Sequence, residues 1–414
     1  MAERTLPNGR LPMISSAALP TPDLQRHRLP SLTGLRFVAA LLVFMFHMTL
    51  IDSPLPPNAP VKVSPFANHT IAQWLGDTFG RSGMIGVSFF FVLSGFVLTW
   101  SAKPGEPATA FWRRRLLKIF PAHLVTFAFV MVFLADGSIP AKAWLPNLFL
   151  LHAWFPDPSV FMCVNLVAWT LSCELLFYVL FPLVIDGLRR IPVRHLWGWI
   201  AGLMVVMVAV QAATAWVVPD TPKTSFGVSN LQFWFGDFLP PLRLPEFVIG
   251  ALLALAVRAG RDIPVPMPAA VALCLVGFVV QLYVPFVLVF NVTMILPICA
   301  LIISAVQRDV AGRSGRLGGR TMTWLGEVSF GFYLCQGITV FYGRNMVGHS
   351  ARYGTPVATV VFVGFFLATF VAGWILYVGV ERPVMRRFAR SRRPVVLPPV
   401  DPAPPETAAS AAAD

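Results

Sequence analysis

The chain has 414 residues, 56% hydrophobic and only 12% charged, with a mean hydropathy of +0.70 and a formal charge of +13. That balance excludes a soluble secreted enzyme, a nucleic-acid-binding domain and a disulfide scaffold, and it describes an integral membrane protein. The 35 Phe and 12 Trp suit an apolar body with aromatic belts, and five cysteines without C-x-x-C spacing read as small packing residues.

Residues 1–30 are basic and carry no apolar stretch of signal-peptide length, so they read as a disordered cytoplasmic tail. The first apolar run, near 34–51, carries Arg36 and His47. Eleven residues at 100° each return within about 20° of the same face and about 16 Å along the axis. One face therefore presents a cation near the cytosol and an imidazole near the midplane. Such an imidazole can serve as a general base, and a core histidine bonded to a neighbouring helix has the same pattern. Arg36 alone also reads as a positive-inside anchor.

The second run spans 84–101. A basic cytosolic segment, Phe111 to Pro121, precedes the third run at 119–135. Within it Arg114, Arg115 and Lys118 lie within one helical turn, where they can clamp phosphates or attract lipid headgroups. The piece from Trp144 to Trp154 is too short to span and reads as an outer half-helix. In the fourth run, 166–187, Thr170, Glu174, Phe177 and Tyr178 share a face, which sets a carboxylate at bilayer depth in need of a partner or a task. Further runs fall near 196–218, 243–258, 268–284, 286–306, 324–343 and 356–380. Glu246 reads as a local partner of Arg243, and Glu327 as solvated near the inner surface. His69 and His349 fall in outer loops and His27 and His195 in cytosolic segments. His123 and His152 lie near helix ends, and none of these has metal-ligand spacing.

The expectation is an all-α membrane protein of about ten transmembrane helices with both termini cytoplasmic. In that layout 25 of the 32 Lys and Arg lie inside, against seven outside (Lys62, Arg81, Lys142, Lys223, Arg243, Arg344 and Arg352). The transmembrane domain covers 31–387, and 388–414 is a disordered Arg/Pro/Ala tail with no soluble domain appended. A second function class, a proton-coupled transporter using His47 and Glu174, fits the polar midplane, although no inverted repeat is visible.

Several motifs in order carry a family resemblance from about residue 31 to 384. They are Leu35-Arg36-Phe37 leading to Phe46-His47, Gly86 to Phe96, Phe111 to Pro121, Trp169 to Pro182, Arg243 to Gly250, Leu325 to Gln336, and Glu381-Arg382-Pro383. On these the chain resembles the acyltransferase-3 membrane proteins, in the standalone form without a C-terminal hydrolase-like domain. The resemblance implies an O-acyltransferase of the inner (plasma) membrane that needs no metal. It would take acyl-CoA, acetyl by default, from the cytosol and acylate a hydroxyl of a carbohydrate, a cell-envelope glycan or a macrolide, with no nucleic-acid partner. It implies that His47 is the catalytic base, Arg36 its motif partner and Glu174 an acid that orients the site. Arg114, Arg115 and Lys118 would lie near the CoA phosphates. Lys118 replaces the usual second Arg, keeping charge but losing the bidentate fork. Ser88 stands where Asp is common and Gln336 where His often follows Tyr-Leu, so neither is assigned a catalytic role.

Overall fold

Helices account for the regular structure in a computed structural model that describes residues 27–50, 63–103, 105–135, 137–348 and 351–388. The expected tails, apart from the few residues before Pro30 and after Arg387, and His349 lie outside the described residues. In chain order the helices are α1 (Pro30–Thr49), α2 (His69–Phe79), α3 (Ser82–Ser101), α4 (Ala108–Phe133), α5 (Ala141–Leu148), α6 (Pro158–Phe161), α7 (Trp169–Arg189) and α8 (Leu196–Trp216). There follow α9 (Asn230–Phe233), α10 (Pro240–Arg258), α11 (Met267–Tyr283), α12 (Phe286–Val289), α13 (Ile295–Val310), α14 (Arg320–Gln336), α15 (Gly343–Met346), α16 (Thr355–Leu376) and α17 (Arg382–Phe388). Among the described residues only two isolated β-bridges form, and no strand.

Seven helical stretches among the described residues are long and apolar enough to cross a membrane. They contain seven of the ten expected runs. The other three lie in α11, α13 and α14, which are 17, 16 and 17 residues long. α14 continues without a break through a π-helical turn, Gly337–Tyr342, into α15, so the polypeptide stays helical well beyond its α-helical length. The Trp144–Trp154 piece is short, as expected: α5 ends at Leu148, and a single 3-10 turn follows at His152–Trp154. The outer surface is apolar. α8 and α16 each bury only 22% of their most hydrophobic window, leaving Trp199, Val205, Val360 and Leu367 exposed. Helices that turn such faces outward are solvated by lipid, since water would not tolerate so large an apolar patch.

α1 lies at the centre, packed on one side against α3 and on the other against α14. α3 is clasped in turn by α10, and α14 by α16. The closeness of the α3–α10 pair is written in two glycines. A Cβ on Gly95 would collide with the Phe247 carbonyl, and one on Gly250 with the Val92 carbonyl, so each helix offers a bare backbone to the other. The start of α1 is held from a distance. Asp309 near the end of α13 accepts from the Ser31 backbone N–H at 2.9 Å and from its hydroxyl at 2.6 Å, placing a carboxylate on the positive end of the helix dipole. Of the five cysteines, Cys163, Cys173, Cys299 and Cys335 are buried and Cys274 is half-buried; all are free thiols.

Candidate active site

His47 sits in the last turn of α1, buried apart from a small face. Its Nδ1 lies 3.1 Å from the Gln336 side-chain oxygen, and the Gln336 amide nitrogen donates to the Ala40 carbonyl at 3.0 Å. The second bond fixes which end of the amide is which: with the NH2 turned to Ala40, the carbonyl oxygen faces the imidazole and can only accept. In the neutral imidazole Nδ1 therefore carries the proton and Nε2 the lone pair, the tautomer a general base requires. Phe341 packs edge-on against the imidazole at 5.3 Å and Phe46 at the same distance, so the ring is held in plane as well as in tautomer.

His47 opens into a chamber of about 330 Å³ whose walls are mostly apolar, with Trp169, Phe226, Phe233, Phe238 and Tyr333 among them. Its charged wall residue is Asp237, held in a π-helical turn, Trp234–Phe238, that joins α9 to α10. Asp237 accepts from Arg243 at 2.8 Å, and Arg243 also reaches Glu246 at 2.8 Å, the Phe290 carbonyl at 3.1 Å and the Ser88 hydroxyl at 3.4 Å. The expected Arg243–Glu246 pair is thus present, but it is fully buried and extended by Asp237, a partner sequence spacing did not suggest. Ser88, standing where the motif commonly has Asp, gives the guanidinium only a hydroxyl. A guanidinium removed from water is tolerable because two carboxylates and a main-chain carbonyl replace its hydration.

Beneath the chamber lies a slot of about 40 Å³ lined by Arg36, Thr170, Glu174 and Tyr333 with Val87, Phe90, Phe91, Leu171 and Phe330. The predicted face of α7 is real. Thr170 and Glu174 both line the slot, and Tyr178 donates to Glu174 at 2.9 Å. Phe177 departs from that face to pack between Phe91 and Phe247. Arg36 lines the slot and also a wider basin of about 410 Å³, shared with Lys118, Glu327, Tyr377, Glu381, Arg382 and Arg386. Four cations face two carboxylates there, a basin suited to a polyanion. Lys118 is ion-paired with Glu381. Glu327 is exposed as anticipated and accepts from Tyr377 at 2.8 Å.

The structure therefore brings His47, Glu174, Arg36 and Lys118 into one file of cavities along α1; Arg114 and Arg115 line none of the three, although Arg115 lies close enough to Glu174 and Tyr178 to interact with them electrostatically. Arg114 pairs with Glu106, and Arg115 stacks over the Phe111 ring at 5.6 Å. Gln336, Tyr333, Asp237, Arg382 and Arg386 were not assigned from sequence. Tyr333 and Gln336 lie in the Leu325 to Gln336 motif and Arg382 and Arg386 in or beside Glu381-Arg382-Pro383, whereas Asp237 had no signal. Of the other histidines, His123 bonds the Asn147 carbonyl at 3.0 Å inside the α4–α5 corner, and His152 is fully buried near Ser172. Burial pushes the His152 imidazole down to about 3, so it stays neutral. His69 opens α2 at the surface, and His27 and His195 are exposed.

The family model described as "Acyltransferase domain" matches residues 29–378. A curated relative, Acyltransferase MdmB of Streptomyces mycarofaciens, is 37% identical over 387 residues, covering 91% of this chain and 96% of its own. O-acetyltransferase OatA of Staphylococcus aureus is 24% identical over 245 residues, 55% of this chain, and the match spans only 34% of OatA. No solved structure matches.

Proposed function

The chain belongs to this acyltransferase family, and from that premise we propose that it moves a short acyl group, acetyl by default, from cytosolic acyl-CoA to a hydroxyl of a glycan or a sugar-bearing small molecule such as a macrolide. The observation that carries the reading is the His47–Gln336–Ala40 relay, which engages Nδ1 and leaves Nε2 as the free acceptor of a neutral imidazole that lines a chamber of small-ligand size. Donor binding is supported by the basin, where Lys118, Arg382 and Arg386 can meet CoA phosphates while Arg36 marks the way toward the slot. In the layout of ten helices with cytoplasmic termini in the plasma membrane, the basin faces the cytosol and the chamber the outer side.

The step is written for an acceptor seated in the chamber. Nε2 of His47 takes the hydroxyl proton as the oxygen bonds to the thioester carbonyl carbon. The C–S bond then breaks, and the CoA thiolate leaves with the proton returned by the imidazolium. A two-step route, in which Nε2 itself carries the acyl group, uses the same atom and the same tautomer. Glu174, tied to Tyr178 beside Arg36, orients the polar groups along the donor's path.

The test is release of free CoA thiol from acetyl-CoA by the detergent-purified chain, with sugar and macrolide acceptors, comparing wild type with His47→Ala. Release that depends on both acceptor and His47 is expected. Transfer at the wild-type rate by a folded His47→Ala variant would remove the base assignment. Wild-type protein that neither binds acetyl-CoA nor releases thiol would favour the proton-coupled transporter.

A further inference from the structure

The chamber and the slot are not one space. Of the residues around them only Val87 and Tyr333 line both, so these two side chains form the partition between the His47 chamber and the Glu174 slot. The Tyr333 hydroxyl lies 3.0 Å from the Thr170 hydroxyl and 3.3 Å from the Val167 carbonyl, and Thr170 donates to that same carbonyl at 3.0 Å. The phenol is thereby latched across the gap between α14 and the start of α7, while its ring rests edge-on against Phe90 at 5.8 Å. At about 40 Å³ the slot has room for only a few water molecules, so nothing as large as an acyl thioester crosses it without displacing a wall. Val87 is β-branched and confined to one rotamer on a buried helix. Tyr333 can swing at the cost of its hydroxyl's contacts with Thr170 and the Val167 carbonyl.

We propose that Tyr333 is the gate of the acyl path: latched on Thr170 it keeps the thioester out of the chamber, and released it admits the acyl carbonyl to Nε2 of His47. This rests on the acyl-CoA reading above. Tyr333 is a positioning residue, acting through where the thioester sits and whether chamber water can reach it. With the gate open and no acceptor present, water takes the acceptor's place. Its oxygen bonds to the carbonyl carbon, its proton passes to His47, the C–S bond breaks, and CoA leaves as the thiol beside a free carboxylic acid.

The experiment uses the full-length purified chain with acetyl-CoA alone, reading thiol release and acetyl-CoA binding. Tyr333→Phe keeps the ring and removes the whole latch, and Thr170→Val removes its hydroxyl half, leaving the longer bond to the Val167 carbonyl. Tyr333→Phe should raise acceptor-independent release at least about fivefold, the population change produced by losing one ordinary buried hydrogen bond, and Thr170→Val should raise it by less. The double variant should release no faster than Tyr333→Phe alone, because Thr170 acts only through the phenol. Adding His47→Ala to Tyr333→Phe should return release to the wild-type level, which a general loosening of the fold would not do. Wild-type release rates in both folded single variants, or additive effects in the double, would overturn the gate while acetyl-CoA binding by the wild type kept the donor assignment. Absence of acetyl-CoA binding by the wild type would overturn the donor assignment and the gate with it.

Discussion

Gln336 decides what His47 can do, because an amide pinned at one end by Ala40 leaves only its oxygen for the imidazole. On the proposed mechanism, replacing it with Leu should lower kcat about 10-fold to 100-fold with little change in the acceptor KM, since the proposed base remains but its tautomer and plane are no longer imposed. Steady-state kinetics of Gln336→Leu beside wild type would check this, and an unchanged kcat would remove Gln336 from the mechanism. On the donor side, Arg382 and Arg386 are exposed in the basin, so truncating either should leave folding intact. Arg382→Ala should raise the acyl-CoA KM about tenfold, the size of one charge-assisted contact, without moving the acceptor KM. Part of this was readable from the chain. Arg36 and His47 are 11 residues apart on one helix, and Thr170 and Glu174 are one turn apart on another, so helical period alone places them. Gln336 lies 289 positions from His47, and Asp237 touches Arg243 only because the backbone winds unusually between them. No local rule reports either.

That unusual winding recurs. The three π-helical turns among the described residues, Trp234–Phe238, Gly337–Tyr342 and Tyr377–Glu381, each abut the cavity file. The first aims Asp237 and Phe238 into the chamber, the second presses Phe341 on His47, and the third brings Tyr377 and Glu381 to the basin. A π turn inserts one residue into a helix and redirects the side chains that follow, which suits sites where a reactive group must leave the regular period. Hydrophobic patterning marks where a helix lies but is blind to one extra residue, so the elements were legible and these offsets were not. Packing between the elements makes its own demand. Gly250→Leu would drive a side chain into the Val92 carbonyl and pry α10 from α3; a loss of about 3 kcal/mol or more is expected, exceeding ordinary overpacking because the obstacle is backbone. Chemical unfolding in detergent would measure it, and an unaltered midpoint would mean the two helices are not held at this distance. Asp309→Ala should cost about 1–2 kcal/mol by freeing the first turn of α1, on which Arg36 depends.

At the scale of the whole molecule, α1 is the axis of the cavity file, with His47 at one end and Arg36 at the other. The core helices α3, α10 and α14 enclose it, while α8 and α16 spread their apolar sides outward. The composition excluded a soluble fold before any helix was placed, and the charge asymmetry of the loops supplied an orientation. The cysteines turn that orientation into something chemistry can address. All five thiols are enclosed or half-enclosed, so a membrane-impermeant maleimide should find almost nothing to alkylate on the native chain in intact cells. The natural protein is then its own blank, and a single introduced thiol becomes a compass. Lys223→Cys, in an expected outer loop, should take the reagent from outside. Arg261→Cys, in an expected inner loop, should take it only after the membrane is breached. The reverse pattern would invert the molecule, placing the basic basin outside and the imidazole's chamber toward the cell interior.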